Sequence, residues 1–366
     1  MSKKLASGGV WRPEQSPLIL NKRWQETGDT VSFEFIAQNQ AHFEFKPGQF
    51  INVEIEIDGK KEYRAYSISS IPGDKYLQLT IKRVAGGKVS NWLIDNLQPG
   101  DQLNAIGIAG QFNLNDCQYG KRILLLSAGC GITPVISMAR TLLSSKQSID
   151  IEFIHCARDK DNIIYHSEIN VLNEKNTNFN CQFLLENKFN DHDELVGYLF
   201  GIINKDKLDL LCADWQQRTI FLCGPTAFME AVKDIVQKTG FDTANFHQES
   251  FTPNQQYESH TGLASSKENV LGSSAKESIV FSVAVPSFNY KTEVIQGATL
   301  LDALEQGGIP VIAACRQGVC GSCKCKVAQG QVHSTSTETI TDDEQQQGWV
   351  LACSTMVEGD VEVSLS

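Results

Sequence analysis

Cys315-Arg316-Gln317-Gly318-Val319-Cys320-Gly321-Ser322-Cys323 is the stretch on which the reading of this chain turns. Its spacing, C-x4-C-x2-C, followed far downstream by a single Cys353, is one that holds a [2Fe–2S] cluster. The small residues among those between the cysteines, Gly318, Gly321 and Ser322, let the backbone come close and aim its N–H groups at cluster sulfurs. Glycine permits such tightly wrapped loops. A zinc ribbon competes, because Cys320 and Cys323 are also a C-x2-C pair. Zinc would want a second close pair or histidines, and Cys353 arrives alone. Cys325 stands outside the four-ligand pattern. A one-electron centre needs a source of electrons, and the rest of the chain is read for one.

With 366 residues the chain can form two or three domains, each with its own core. Charged residues at 20% and hydrophobic ones at 41% describe an ordinary globular protein. A net charge of −11 argues against a nucleic-acid partner. No apolar stretch approaches the ~20 residues that span a bilayer, so no membrane role is expected. Lys3 and Lys4 are followed by Ser7-Gly8-Gly9 and not by an apolar run, which does not read as a secretory leader. Eleven cysteines without a leader point to a reducing, cytoplasmic setting and to metal or redox use. Residues 277–366 hold 4 basic and 11 acidic side chains, so a balance of −7 sits in the cysteine-bearing quarter. That charge suits docking to a basic partner surface, and equally a merely solvated face.

Residues 15–115 read as an antiparallel β-barrel. Val31–Ile36, Gln49–Ile57 and Leu77–Lys82 alternate apolar and polar side chains, with turns at Pro47-Gly48, Asp58-Gly59, Pro72-Gly73 and Pro99-Gly100. Residues 116–251 read as a parallel α/β domain. Apolar strands at Ile123–Leu126, Ile151–His155, Phe183–Leu185 and Thr219–Cys223 alternate with helical stretches. Residues 252–276, dominated by Gln, Ser, Asn and Gly, read as a linker. A compact third unit over 277–366 follows, with strands at 279–285 and 291–295, a helix at 299–306, the cysteine loop and a closing strand near 361–365.

Four further motifs carry chemistry. Arg64-Ala65-Tyr66-Ser67 lies just after a predicted strand and combines a phosphate fork, a flat ring and a hydroxyl. Gly86-Gly87-Lys88-Val89-Ser90 leads into a predicted helix capped by Ser90 and ending near Leu97; such an N-terminus is an anion site. Gly129-Cys130-Gly131-Ile132-Thr133-Pro134 follows a strand and opens a helix, allowing close approach to a pyrophosphate. Cys223-Gly224-Pro225 ends another strand, at the carboxyl edge where α/β sheets bind ligands. The segment Arg158-Asp159-Lys160-Asp161 mixes signs, so no basic pocket for a 2′-phosphate is evident and NADH is expected over NADPH. The seven histidines form no ligand-spaced cluster.

Taken in this order, the motifs of residues 15–251 resemble the ferredoxin–NAD(P)H reductase superfamily, and residues 277–366 resemble a plant-type ferredoxin of β-grasp fold. The resemblance implies a three-domain, FAD- and NADH-dependent oxidoreductase that passes electrons through [2Fe–2S] to a protein acceptor. By that resemblance Arg64 would hold the flavin phosphates, Tyr66 would pack on the isoalloxazine ring and Ser67 would lie near its reactive nitrogen. Gly87, Val89 and Ser90 would line the pyrophosphate. Gly129, Gly131, Thr133, Cys223, Gly224 and Pro225 would form the nicotinamide-nucleotide site, with Glu249 and Phe251 close by. Ser67, Cys223 and Glu249 would thus border the reacting atoms, and Cys315, Cys320, Cys323 and Cys353 would hold the cluster. Ala313–Cys320 and Thr339–Cys353 look closest to reductases that serve a hybrid-cluster protein, with those of Rieske-type oxygenases as the alternative. A non-catalytic redox sensor built from the same parts is the reading of another class.

Overall fold

The computed structural model describes residues 9–38, 40–145, 148–187, 198–251, 279–309, 311, 313, 318, 321–337 and 339–365. The expected linker over 252–276, and Cys315 and Cys320 of the cysteine loop, lie outside them. The chain divides into two compact units, Met1–Thr252 and Pro253–Ser366.

The first unit begins with β1 (Leu18–Thr27), β2 (Thr30–Ala37), β3 (Phe50–Ile57), β4 (Lys60–Ser67) and β5 (Leu77–Lys82), then α1 (Lys88–Asn96) and β6 (Gln102–Ala109). Their antiparallel order is β4-β3-β6-β1-β2-β5. A bridge between Ile68 and Leu79 joins the two ends, so the sheet closes on itself as the sequence led one to expect. Leu18 and Leu20, Phe33 and Phe35, Ile51 and Val53, and Leu77 and Leu79 each lie two apart and fill the interior. One local expectation fails. Helix α1 starts at Lys88 with Gly87 as its cap, so Ser90 lies inside the first turn. Gly86 at φ +70° turns the chain and Gly87 stays extended, which brings the helix in three residues early.

The unit continues with β7 (Arg122–Ala128), α2 (Ile132–Ser144), β8 (Asp150–Ala157), α3 (His166–Lys175), β9 (Phe179–Leu185), β10 (Tyr198–Phe200), α4 (Lys205–Leu211), β11 (Thr219–Gly224), α5 (Thr226–Lys238) and β12 (Phe246–Ser250). These strands form one parallel sheet in the order β10-β9-β8-β7-β11-β12. Ile123 and Leu125 bury one face of β7 while Leu124 and Leu126 bury the other. That is why the strand reads as an unbroken apolar run. The chain winds outward from β7 to β10 and then resumes on the other side of β7 with β11. The gap between the carboxyl ends of β7 and β11 is therefore a topological switch point.

Barrel and α/β layers are joined by polar groups. Ser137 donates to the Ser70 carbonyl at 2.7 Å. Arg140, only 11% exposed, donates to the Ser69 carbonyl, to Gln78 at 3.2 Å and to Glu168 at 2.6 Å, with its guanidinium 5.0 Å from the Tyr165 ring centroid. Tyr165 sits in the left-handed region at φ +60°, and its hydroxyl bonds the Thr80 hydroxyl of β5.

The second unit contains β13 (Val280–Val285), β14 (Tyr290–Ile295), α6 (Leu300–Gln306), β15 (Lys324–Gln329), β16 (Val332–Ser334), α7 (Asp342–Gln346), β17 (Trp349–Leu351), β18 (Thr355–Val357) and β19 (Val361–Leu365). A mixed sheet β14-β13-β19-β15-β17 pairs β13 with β19 in parallel and the other neighbours antiparallel. Helix α6, fixed by a Thr299–Asp302 capping box, buries Leu300, Leu301, Ala303 and Leu304 in the same core as Val283 and Val363. This is a β-grasp arrangement. Among the described residues no helix is long and apolar enough to cross a membrane.

Replacing Arg140 by Met leaves the Ser69 carbonyl and Glu168 without their donor. The expected cost is about 2 kcal/mol, read as a lower urea midpoint at unchanged slope.

Candidate functional site

The R-x-Y-S motif is the end of β4 itself. Arg64, Tyr66 and Ser67 pair with Val53, Ile51 and Phe50 of β3. Glu62, Arg64 and Tyr66 share one face of the strand, two residues apart. Lys88, the first residue of α1, reaches Glu62 at 2.7 Å and so ties the helix N-terminus to that face. The first turn of α1, containing Val89 and Ser90, has no side-chain cap and no acidic residue. Its N–H groups are thus left to an external acceptor. Asn91 fastens the approach by donating to the Val84 carbonyl at 2.9 Å and accepting from the Val84 N–H at 3.2 Å. Arg64 is exposed. Together Arg64 and the α1 turn make a cationic side chain and a helix N-terminus on one edge, a donor set suited to a phosphodiester.

At the switch point the loop Gly129–Gly131 meets the tip of β11. A Cβ on Gly131 would stand 2.2 Å from the Cys223 carbonyl oxygen and 2.6 Å from the Gly224 Cα. A Cβ on Gly224 would stand 2.7 Å from the Phe228 ring and 3.2 Å from the Ala128 backbone, so both glycines sit where space is tight, Gly131 against backbone. Thr133 donates to the Cys130 carbonyl at 3.0 Å, which holds the loop to the start of α2. Pro225 follows as the extended cap of α5, which has no side-chain cap bond.

Across the carboxyl edge, register places Glu249 beside Cys223, Cys223 beside Ser127, and Ser127 beside His155. Paired residues of a parallel sheet point to one face, so these four make a row over β12, β11, β7 and β8. Cys223 is fully buried and its thiol is pushed well above the ordinary range by burial, with the Glu249 and Cys130 charges adding to this. Burial also lifts the Glu249 carboxyl from 4.5 to about 8 and the Cys130 thiol to about 11. His155 bonds Ser127 through Nδ1 at 2.9 Å, and burial drives its pKa down to about 3, so the imidazole is neutral. Phe251, just beyond β12, is exposed. The histidine and its serine were not picked out by sequence reasoning. The one available signal was a polar Ser127 and His155 directly after the apolar runs Ile123–Leu126 and Phe153–Ile154.

Six sealed side-chain polar atoms lack a partner among the described residues; Asn52 Oδ1, His155 Nε2 and Thr339 Oγ1 are three of them, and Tyr66 Oη, Ser67 Oγ and Glu249 Oε2, on the site strands β4 and β12, are the other three. Burial without a hydrogen bond is costly, so the last three, at the edges where the motifs lie, call for a ligand. A flat heterocycle with a polar edge beside β4, and a carboxamide beside β12, would satisfy them. The residues present therefore fit a flavin and a nicotinamide.

In the second unit Cys323 Sγ and Cys353 Sγ lie 3.1 Å apart. The Gly318 N–H points at Cys353 Sγ at 3.1 Å, and the Cys353 N–H at Cys323 Sγ at 3.5 Å. Donors aimed at sulfur favour thiolate ligands. Gly318 and Gly321 both take φ +74°, and a Cβ on Gly318 would meet Ser354 Oγ at 2.6 Å, so the loop needs its glycines. Cys325 is fully buried in β15 and its thiol is raised to about 12 by burial. Of the four expected ligands the described residues bring two together; Cys315 and Cys320 lie outside them.

Residues 17–114 match the oxidoreductase FAD-binding domain family, residues 125–234 the oxidoreductase NAD-binding domain family, and residues 285–358 the 2Fe-2S iron-sulfur cluster binding domain family. The glycine betaine monooxygenase reductase subunit of Pseudomonas aeruginosa is 37% identical over 338 residues, 92% of this chain and 92% of that protein. NADH oxidoreductase HCR of Escherichia coli is 32% identical over 338 residues, 92% of this chain and 94% of that protein. Among solved structures, phthalate dioxygenase reductase shares the fold with a TM-score of 0.58 at 19% identity, covering 96% of this chain and 99% of that one.

The Glu249 carboxyl gives a pH signature. The unfolded chain releases this proton near 4.5, whereas the folded protein holds it to about 8. Folding stability therefore falls as pH rises through that window. Glu249→Gln removes the term, so the melting temperature of the variant relative to the parent should climb between pH 5 and pH 8.

Proposed function

The chain belongs to the ferredoxin–NAD(P)H reductase superfamily, in the branch carrying a plant-type [2Fe–2S] ferredoxin domain, and on that footing we propose that it is the NADH-dependent reductase component of an oxygenase system. The observation that carries the reading is the set of sealed, unpartnered atoms Tyr66 Oη, Ser67 Oγ and Glu249 Oε2 beside the switch point. When bound, a flavin links a two-electron hydride donor to a one-electron iron–sulfur carrier.

On this reading the chain's own residues bind, orient and exclude water. Arg64 and the backbone of Gly87, Val89 and Ser90 hold the flavin phosphates, Tyr66 covers the ring, and Ser67 donates to its edge. Gly129, Gly131 and Thr133 with Gly224 and Pro225 seat the dinucleotide. Cys223 supplies a neutral thiol beside the nicotinamide, because burial keeps it protonated. Glu249, protonated below about pH 8, can donate a hydrogen bond without setting a charge against the ring. Phe251 borders the same place. Cys315, Cys320, Cys323 and Cys353 ligate the cluster. The corresponding domains run over 15–115, 116–251 and 277–366, with 252–276 as the linker between them. A cytoplasmic setting fits the cysteine content.

For the acceptor, the sequence motifs first suggested a hybrid-cluster protein and then a Rieske-type oxygenase. The 37% identity to an oxygenase reductase subunit, against 32% to NADH oxidoreductase HCR, reverses that order. The hybrid-cluster protein stays as the second reading, on the Ala313–Cys320 stretch. NADH preference is supported by Arg158, whose guanidinium is engaged by Asp29 at 3.2 Å.

Two outcomes are expected. Cys325→Ser should retain two irons and two sulfides per chain while Cys353→Ser loses the cluster, measured by iron and sulfide analysis and visible absorption. The opposite pattern would overturn the ligand assignment. In the second experiment NADH should bleach the flavin anaerobically and then reduce an oxygenase component at low salt. Electron delivery should slow steeply as salt rises, because the −7 balance of residues 277–366 steers docking. A flavin that NADH does not bleach would favour the redox sensor; reduction of a hybrid-cluster protein but not the oxygenase would favour the second acceptor.

A further inference from the structure

Arg158 directly follows β8, at the carboxyl edge one strand from the switch point. In parallel α/β nucleotide domains this is where the adenosine ribose is read. An acid there bonds the 2′-hydroxyl, and an arginine there accepts a 2′-phosphate. The chain has both kinds of residue at the position, and neither is disposed in the ordinary way.

Asp159 is 9% exposed and its carboxylate is consumed locally. Oδ1 accepts from the Asn162 N–H at 3.1 Å and from the Asn162 side chain at 2.7 Å, capping the turn that follows. Arg158 is exposed, yet its guanidinium is not free. Nη2 donates to Asn162 Oδ1 at 2.9 Å and to Asp29 Oδ2 at 3.2 Å.

Asp29 comes from the barrel, at the turn between β1 and β2. Its Oδ1 accepts from Lys82 at 2.9 Å, Thr27 Oγ1 at 2.9 Å and Thr30 Oγ1 at 3.0 Å. Burial pushes its carboxyl up, but the Lys82 and Thr27 hydrogen bonds, the Lys82 charge and Thr30 outweigh this and keep it ionised. The carboxylate is thus fixed by one domain and aimed at the arginine of the other, and a backbone bond from Arg83 N–H to the Asp29 carbonyl at 2.7 Å holds the turn to β5.

We propose that Asp29 is the residue that sets the preference for NADH, by occupying Arg158 and by placing a negative charge where a 2′-phosphate would have to sit. The inference rests on the nicotinamide-nucleotide reading above and adds the determinant of its selectivity. A dianionic phosphate reaching Arg158 would approach a carboxylate that already holds the guanidinium. A 2′-hydroxyl carries no charge and is indifferent to the pair. One unit of repulsion at this range in a half-exposed site disfavours the phosphate by about tenfold. The position of Asp29 in a different domain from the dinucleotide loop explains why the segment 158–161 alone did not reveal the device.

The test is a cycle of Asp29→Asn, Arg158→Ala and the double variant, each checked for parental flavin content. Binding of 2′,5′-ADP and of 5′-AMP is measured by calorimetry, which involves no flavin chemistry. Asp29→Asn, which keeps the shape and the hydroxyl partners, should tighten 2′,5′-ADP about tenfold relative to 5′-AMP. It should lower KM for NADPH relative to NADH with less effect on kcat. Adding Arg158→Ala should return both ratios toward the parent. Unchanged ratios in Asp29→Asn, or a gain left undiminished by removing Arg158, would overturn the proposal. Should NADH fail to bleach the parent flavin, the reductase reading itself falls, a result independent of the two adenosine probes.

Discussion

Gly131 lies so close to the tip of β11 that a Cβ on it would stand 2.2 Å from the Cys223 carbonyl oxygen, and the arrangement of the first unit depends on that contact. Only a residue without a side chain lets the loop after β7 settle on the end of its neighbouring strand. The contact brings two sequence segments, some ninety residues apart, to one crevice at the point where the sheet reverses direction. It also fixes the carboxyl ends of β7 and β11 level with each other, so that Ser127 and Cys223 pair and the row extends to Glu249 on one side and His155 on the other. Burial sets the chemistry of each group: a protonated thiol, a neutral imidazole and a carboxyl that keeps its proton to about pH 8.

On the proposed function a flavin held by the barrel would face a nicotinamide held by the α/β layer. The joint between barrel and α/β layers is therefore part of the site. It includes polar groups with fixed directions: Ser137 to the Ser70 carbonyl, Arg140 to the Ser69 carbonyl and Glu168, the Thr80 and Tyr165 hydroxyls to each other, and Arg158 to Asp29. Hydrogen bonds specify an angle as well as a distance, whereas apolar contact specifies only proximity. An interface of this kind holds a register between two domains.

In the second unit the same principle appears around sulfur. Gly318 and Gly321 adopt positive φ, and the N–H groups of Gly318 and Cys353 converge on the thiols of Cys353 and Cys323. Cys325 differs from its neighbour Cys323 by its seat between Val350 and Leu365 in the sheet interior, where burial keeps the thiol protonated.

Much was legible in the sequence because the chemistry requires particular residue types at short, fixed spacing. The cysteine pattern, Arg64-Ala65-Tyr66-Ser67, Gly129-Cys130-Gly131 and Cys223-Gly224-Pro225 are such patterns, and the period-two strands and apolar runs around them gave barrel and parallel sheet. A local rule misplaced the start of α1, since Ser90 is a good cap by type but the glycine pair ahead of it turns the chain sooner. What tertiary structure alone decided are the pairings between distant segments. Ser127 stands beside His155 because β7 and β8 are in that register, and Asp29 meets Arg158 because a barrel turn abuts the sheet edge. No spacing along the chain encodes these contacts. Strand register and domain docking are settled by the burial of whole faces, and a side chain's neighbours across them are a consequence of that packing.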